Sequence, residues 1–585
     1  AYVAYNTIDR FFTYNVQYHP GKTKELDLDA IARYEISQLV SYVRVKFVKG
    51  LSGQETSLKS IHLVVPEANL AKLEAHMPQS GFEYVKGRMI REGRLNKVKI
   101  KYRGDTYYRW AWDKKSLRFK TSKKTLFEGV RSVNLLAPRT EEQLNNYLAY
   151  RLANMMGILA PRTELIRLFL NGEDRGVHIL VEQIKEMTLR NASLMPGDIY
   201  RGELIEKDRF GPGAPTDSLF RSAAVWDKVA INNHFAESSK VPLEHLINLI
   251  QQSHLPGAQA QLSQIMDMEA WGKFSAFEFL AQTTHTDEIH NWRMYFDPWR
   301  GQFVPIVWDP MGWHTSLRRS KVLHEVIPNS LMAALFQNGD FIRARNEALQ
   351  GFFSSGKARV FLDMVSEAVA VMEQEIKTDP YLNPSNPEIV RGSLRRLEQV
   401  IRNTFKGTYE NYLGNGANKQ EGTVFIARNH QSLDIAVRGG APIDKLRINL
   451  SKAVKTTPIV WVSYQGPNGQ HNLRFPVTIS DDKTQLTFKA GLLANITVKM
   501  NENRRGTLKF DEGVYQLRLE ALDEDVSIIS AEREDRNAWV PIRLVDSITP
   551  TVFSQLYAPV AINPVPEPIT WSGEVTLEGH QILDQ

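Results

Sequence analysis

The chain has 585 residues, too many for one compact core, and 42% hydrophobic with 24% charged residues is the balance of a folded protein rather than a disordered one. Its 72 basic and 66 acidic residues leave a net charge of +6, which suits a polyanionic ligand such as a nucleotide. With no zinc-spaced Cys/His set and no dense Lys/Arg stripe among aromatics, nucleic acid is not an expected partner. The absence of cysteine excludes disulfides, thiolate nucleophiles and Cys-ligated metals.

Residues 1–60 mix polar and apolar positions without clear periodicity and read as an N-terminal extension. A strand-like run, Ile61-His-Leu-Val-Val, leads through Pro66 into a short helical pattern around Leu70–Leu73. Val98, Ile100 and Tyr102 alternate before a break at Arg103-Gly104-Asp105, and Leu117 and Phe119 follow, so 97–121 reads as a hairpin or a sheet edge. Leu144, Leu148, Leu152 and Met155 recur at helical spacing over Glu141–Met156, with Gly157 placed as a C-cap. Leu165–Leu170 and Val177–Val181 flank Asn171-Gly172, a strong hairpin signal.

Together these elements describe a β-rich lobe with one helix over 61–204. Residues 205–268 read as an insertion, Gly/Pro-rich at Gly211–Pro215 and then helical over 242–254 and 257–266. A helix at Glu269–Thr284 opens a helical half, 269–416, with long helical patterns at 341–377 and 387–413. From 417 to 585 the texture changes to short alternating runs such as Ile459–Tyr464, Leu473–Ile479 and Val514–Leu519, separated by turn residues. This reads as a separate all-β, sandwich-like domain. The expected class is α+β. No run of about 18 apolar residues would span a membrane, and the chain opens at Ala1 without a charged-then-apolar leader. Export, with the targeting segment absent from this chain, is the expectation.

The chemistry concentrates in His285-Thr-Asp-Glu-Ile-His-Asn-Trp-Arg-Met-Tyr-Phe-Asp-Pro and Gly301-Gln-Phe-Val-Pro-Ile-Val-Trp-Asp-Pro-Met-Gly312. Asp287 and Asn291 fall in a loop after a helix. Trp292–Phe296 and Phe303–Trp308 can form two strands, the second delivering Asp309 at its tip. One loop carboxylate, one loop amide and one strand-end carboxylate are the parts of a phosphoryl-transfer site. The same residue types also cap helices and close hairpins, so Asp287 and Asn291 alone decide nothing. His285 and His290 lack the third histidine that zinc would need.

The pattern resembles the core signature of the CotH kinase family, and it does not stand alone. Lys115-Ser-Leu-Arg-Phe-Lys120 resembles that family's Lys-rich strand, and Val133-Asn-Leu-Leu-Ala-Pro the segment before its first helix. Leu168-Phe-Leu-Asn-Gly-Glu-Asp-Arg-Gly-Val-His-Ile-Leu-Val-Glu-Gln183 resembles its hairpin, and Met266-Asp-Met-Glu-Ala-Trp271 the helix before its catalytic loop. The matches run from about 97 to 410.

The resemblance implies an atypical, bilobal kinase fold. It also implies transfer of the ATP γ-phosphoryl group to a hydroxyl of a protein or glycan acceptor outside the cytoplasm, with Mg²⁺ or Mn²⁺. It makes Asp287 the catalytic-loop carboxylate and Asn291 and Asp309 the metal ligands. Lys115, Arg118 and Lys120 become the phosphate contacts, and Glu182 falls where a kinase hinge meets adenine, or is an exposed strand-end carboxylate. Two departures keep a catalytically dead, surface-binding relative in view. Three residues, not four, separate Asp287 from Asn291, and Met311 stands where the family carries a second carboxylate.

Overall fold

The computed structural model describes residues 1–545 except for short intervals, the longest being 16–27, 105–111, 205–217, 232–238 and 411–422. The expected Gly/Pro-rich stretch at Gly211–Pro215, the domain boundary near 417 and the last forty residues lie outside the described residues. The chain is α+β, as its patterns imply, and no described helix is long and apolar enough to cross a membrane.

Seven strands close into a barrel in the order β1-β2-β3-β4-β5-β7-β6. They are β1 (Lys59–Val64), β2 (Val85–Arg91), β3 (Arg94–Tyr102), β4 (Leu117–Thr121), β5 (Ser132–Leu136), β6 (Thr163–Leu170) and β7 (Glu173–Glu182). Alternation drives closure: Val98, Ile100 and Tyr102 of β3 and Leu117 and Phe119 of β4 point inward, leaving Lys99, Arg118 and Lys120 on the outer face. β3 and β4 pair with each other and each has a second neighbour, so the 97–121 region is a hairpin inside a closed barrel and not a sheet edge. Closure removes unpaired edges altogether. Asn171 (φ +53°) and Gly172 (φ +85°) make the tight β6–β7 turn, where positive φ at both positions matches strand twist.

Two helices precede the barrel, α1 (Tyr2–Phe12) and α2 (Leu28–Ser52), where the sequence shows no periodicity. The reason is visible in their burial. Ile31 and Val45 of α2 are covered, but Ile36, Val40, Val43 and Phe47 are exposed, so apolar residues occur on both faces. The pair is tethered by Arg10, which donates to Glu35 (2.6 Å) and Asp113 (3.0 Å). Helix α3 (Glu67–Ala75) supplies Leu73 to the barrel core.

β7 is buried on both faces from Gly176 onward, because Leu180 lines the barrel while Val177, Ile179 and Val181 join the second core. That second core is built on α4 (Asn145–Met155) and the short α5 (Glu186–Asn191). It continues into a four-stranded sheet ordered β11-β10-β8-β9, comprising β8 (Asp198–Gly202), β9 (Trp226–Ala230), β10 (Trp292–Asp297) and β11 (Gln302–Pro305). β9 belongs to the 205–268 segment, so that segment contributes a strand to the sheet as well as helices α6 (Val241–Gln251) and α7 (Pro256–Ile265). Helix α8 (Met268–Leu280) runs into the motif region. α9 (His314–Arg319), α10 (Ser330–Leu335), α11 (Gly339–Ser354), α12 (Lys357–Glu375) and α13 (Pro387–Thr408) complete the helical body. Trp226, Trp271, Trp292 and Trp313 are all fully buried in this core.

Between Thr423 and Val545 the described strands form a six-stranded, a five-stranded and a two-stranded sheet, none of them paired with the barrel or the four-stranded sheet. Leu446, Ile448 and Phe488 of the five-stranded sheet share a core with Val460, Leu517 and Leu519 of the six-stranded one. Lys489 reaches Asp340 of α11 at 3.6 Å.

Candidate active site

The site forms where the loop after α8 meets the end of β11. Thr283 N–H donates to the Glu278 carbonyl and closes the helix, and Trp292 Nε1 donates to the Asp287 carbonyl (2.5 Å), fixing the far end of the loop. Within it, Asp287 Oδ1 accepts from the N–H groups of Ile289 (2.9 Å) and His290 (3.0 Å) and from His290 Nδ1 (2.7 Å). All three bonds fall on one oxygen, and Oδ2 has none of them. Burial pushes the Asp287 carboxyl up, but the His290 partner and the backbone donors outweigh it and hold it below its ordinary value.

Asn291 takes φ +67°, a left-handed conformation that Asn tolerates, and its Nδ2 donates to the His285 carbonyl at 3.1 Å. Asp309 follows β11 at φ +44°, with Met311 (+43°) and Trp313 (+56°) alternating after it. Such backbone costs of order 1–3 kcal/mol per residue and persists where the surroundings over-determine it. Here Tyr150 OH accepts from Asp309 N–H (2.8 Å), Asn146 Nδ2 donates to Asp309 Oδ1 (2.9 Å), and Asn146 Oδ1 accepts from Met311 N–H (3.2 Å). Burial and then the Asp309 charge push the Tyr150 hydroxyl up, so it stays neutral.

His285 joins the two halves. Its Nδ1 lies 2.5 Å from the Asp309 carbonyl and 3.1 Å from Asn291 Nδ2. The His285 and His290 rings meet edge-on at 5.0 Å. Burial alone would lower His290, yet Asp287, Glu203 and Asp309 together draw it up. Asp287, Asn291 and Asp309 thus surround one histidine pair. Among the described residues no three His, Asp or Glu side chains cluster as a ready-made metal cage.

The basic candidates divide. Arg118 Nε donates to Asn134 Oδ1 (2.7 Å), and Asn134 in turn donates to the Val181 carbonyl (3.2 Å) and Gln183 Oε1 (3.1 Å). Burial, then Arg118, Arg201, Lys120 and Arg293, all pull Lys185 down, which places these cations in one neighbourhood. Lys115 instead lies over the Tyr102 ring (5.6 Å) and 3.8 Å from Glu74, beside Asp113 and the N-terminal helices. Glu182 ends β7, buried and not exposed. Its carboxyl is pushed up by burial and touched by Thr188 Oγ1 at 3.4 Å.

Sequence reasoning missed Arg103, Asn146, Tyr150, Lys185, Arg201 and Arg293. Arg293 carried a signal: it is the one charge inside Trp292-Arg-Met-Tyr-Phe, a strand whose other residues are apolar or aromatic. Arg103 and Asn146 reach the site through tertiary packing, which spacing does not encode.

A comparison with curated proteins finds no match. The profile of one protein family, described as CotH kinase protein, matches residues 100–403. The match covers just over half of the chain, from within β3 to within α13, and takes in the barrel strands β4–β7, the strained loop and Asp309. On that match the chain belongs to the CotH kinase family.

Proposed function

We propose that this chain is an exported kinase that transfers the γ-phosphoryl group of ATP to a hydroxyl of a protein or glycan acceptor. The observation that carries the reading is the convergence of Asp287, Asn291 and Asp309 on the His285–His290 pair. In the kinase-like, bilobal arrangement we infer, the barrel is the nucleotide-side lobe and the helical body the acceptor-side lobe. Asp287 Oδ2, left without the loop's own bonds, orients the acceptor hydroxyl and takes its proton, while His290 holds the carboxylate ionised. Arg118 and Lys120, on the outer face of β4, contact the phosphates, and Glu182 marks the strand end beside the nucleobase.

The donor set fits a hard divalent cation: the Asp309 carboxylate and Asn291 Oδ1 are oxygen ligands, and Mg²⁺ needs few from protein when phosphates supply the rest. Mg²⁺ or Mn²⁺ held there would neutralise phosphate charge.

A second reading, a catalytically inactive envelope or cell-surface assembly protein, has its own support. Asp287 is tied into its loop by three hydrogen bonds, and Met311 offers no second carboxylate. Incubation with γ-labelled ATP and Mg²⁺ or Mn²⁺, following label into the protein and candidate acceptors, separates the two. Label transfer supports the kinase. Metal-dependent nucleotide binding that Asp309→Ala abolishes, without transfer to any acceptor, supports the inactive relative.

A further inference from the structure

Three arginines around the site each carry a buried guanidinium nitrogen without an acceptor among the described residues: Arg103 Nη1, Arg201 Nε and Arg293 Nε. Leaving such a group unpaired is costly, and more so for a charge, so a protein retains it for a reason. The three come from separate elements. Arg103 follows β3, and Arg201 and Arg293 face each other across the β8–β10 register.

Trp308 brings two of them together. The Arg293 guanidinium lies 5.1 Å and that of Arg103 5.6 Å from its ring centre. A stacked guanidinium keeps its in-plane N–H groups free for a ligand. The Trp308 backbone leads directly into Asp309, and both arginines also act on the Tyr150 hydroxyl that holds the Asp309 N–H.

Carboxylates are present but few. Asp227 pairs with Arg201, and the Glu203 charge reaches Arg293. Arg293 is 7% exposed, and its Nη1 donates to the neighbouring Trp292 carbonyl (2.6 Å).

We propose that Arg103, Arg201 and Arg293, with Lys185, form a preformed cradle for an oligophosphate chain, built on elements other than the strand that carries Arg118 and Lys120. The inference rests on the reading of this site as a nucleotide site. It adds a second wall, so that the phosphates are held from the barrel side and from the β8–β10 sheet side. Several planar forks matched to phosphate oxygens favour a chain of phosphates over a single carboxylate.

The test is calorimetric titration of the full chain with sodium tripolyphosphate, ATP and adenosine, without divalent metal. Expected is binding of tripolyphosphate that ATP displaces and adenosine does not. Arg293→Lys and Arg103→Gln should each weaken it by about 10- to 100-fold, the loss of one charge-assisted contact. Arg300→Gln, an exposed arginine paired with Asp267, should leave it unchanged. Melting curves establish that each variant is folded. Should Arg293→Lys fail, the half-buried Arg103 carries the test alone.

Tripolyphosphate binding that ATP does not displace, or that both variants retain, overturns the cradle. Phosphate transfer by a protein whose variants bind as wild type does sinks the cradle and leaves the kinase reading standing. Binding lost in the variants of a protein that transfers no phosphate keeps the cradle and sinks the kinase.

Discussion

Two buried arginines of this molecule are held in opposite electrostatic states. Arg167, on β6, donates to Asp174 (2.7 Å), Glu375 (2.8 Å), Thr378 Oγ1 (3.0 Å) and the Thr378 carbonyl (2.5 Å). Beside it, Asp379 accepts from Lys114 (2.7 Å) and from the N–H groups of Val177 (2.8 Å) and Tyr381 (2.9 Å). Burial lowers the Arg167 pKa, but its partners more than reverse that and leave it raised. Arg293 is pushed down to about 9 by burial, and Glu203 offsets only part of it. A buried arginine surrounded by its own carboxylates is architecture. One with more cations than carboxylates around it is, in the cradle proposed above, completed by a bound anion.

The same contrast accounts for a family-like stretch of the chain. In Asn171-Gly-Glu-Asp-Arg-Gly-Val-His178, Asp174 pairs with Arg167, and Val177 N–H binds Asp379. Gly176 (φ +73°) packs where a Cβ would come within 2.0 Å of the Asp379 carboxylate. The motif clamps the barrel hairpin onto the end of α12. Its contacts are those of a docking device.

The largest expected effect lies on the functional side. Asp287→Asn should lower turnover by roughly two to four orders of magnitude, the range for lost general-base action. Oδ1 can still accept the two backbone N–H groups, so melting temperature should barely move. Full activity in the variant would place the base elsewhere, with Glu288 next in line. Equal loss of stability would move Asp287 to the architectural side.

On that side, Arg167→Leu strips partners from Asp174 and Glu375 and should cost about 3–5 kcal/mol, as for a broken buried ion pair. Urea unfolding measures it. A cost under about 1 kcal/mol would erase the distinction drawn between the two arginines.

Arg293→Leu should behave in the reverse sense. With few counter-charges to orphan, removing it should leave stability unchanged or raised by about 1–2 kcal/mol, while oligophosphate affinity falls. A destabilisation matching that of Arg167→Leu would mean that Arg293 is structural.

Local patterns in the chain were legible and long-range ones were not. The Asn171-Gly172 turn, the α4 periodicity with Gly157 (φ +74°) behind it, and the strands flanking Asp309 depend on neighbours in sequence. Barrel closure depends on β1 pairing parallel with β6, about a hundred residues away, which no local pattern encodes. Asp287, Asn291 and Asp309 were singled out by the family-like segments on either side of them, although three residues and not four separate Asp287 from Asn291. Arg103 and Lys185 were not, because exposed-looking basic residues in turns are common and only packing brings these two to the site.

A further variant tests the general rule on a carboxylate. Glu278, inside α8, is fully buried, and neither of its oxygens has a partner among the described residues. Burial is the sole cause acting on it and pushes its pKa well above the ordinary value. The folded state therefore holds a proton that the unfolded chain releases. Stability from this group is fully present below the unfolded pKa, near 4.5, and declines as pH rises toward the folded value. Glu278→Gln removes the titration but keeps the shape. Its stability relative to wild type should therefore climb between about pH 5 and pH 8, by about 1–3 kcal/mol, the cost of an unpartnered buried group. Urea midpoints across that range give the slope. A flat difference would mean that Glu278 is charged and paired, an acidic counterpart of Arg167 and no counterpart of Arg293.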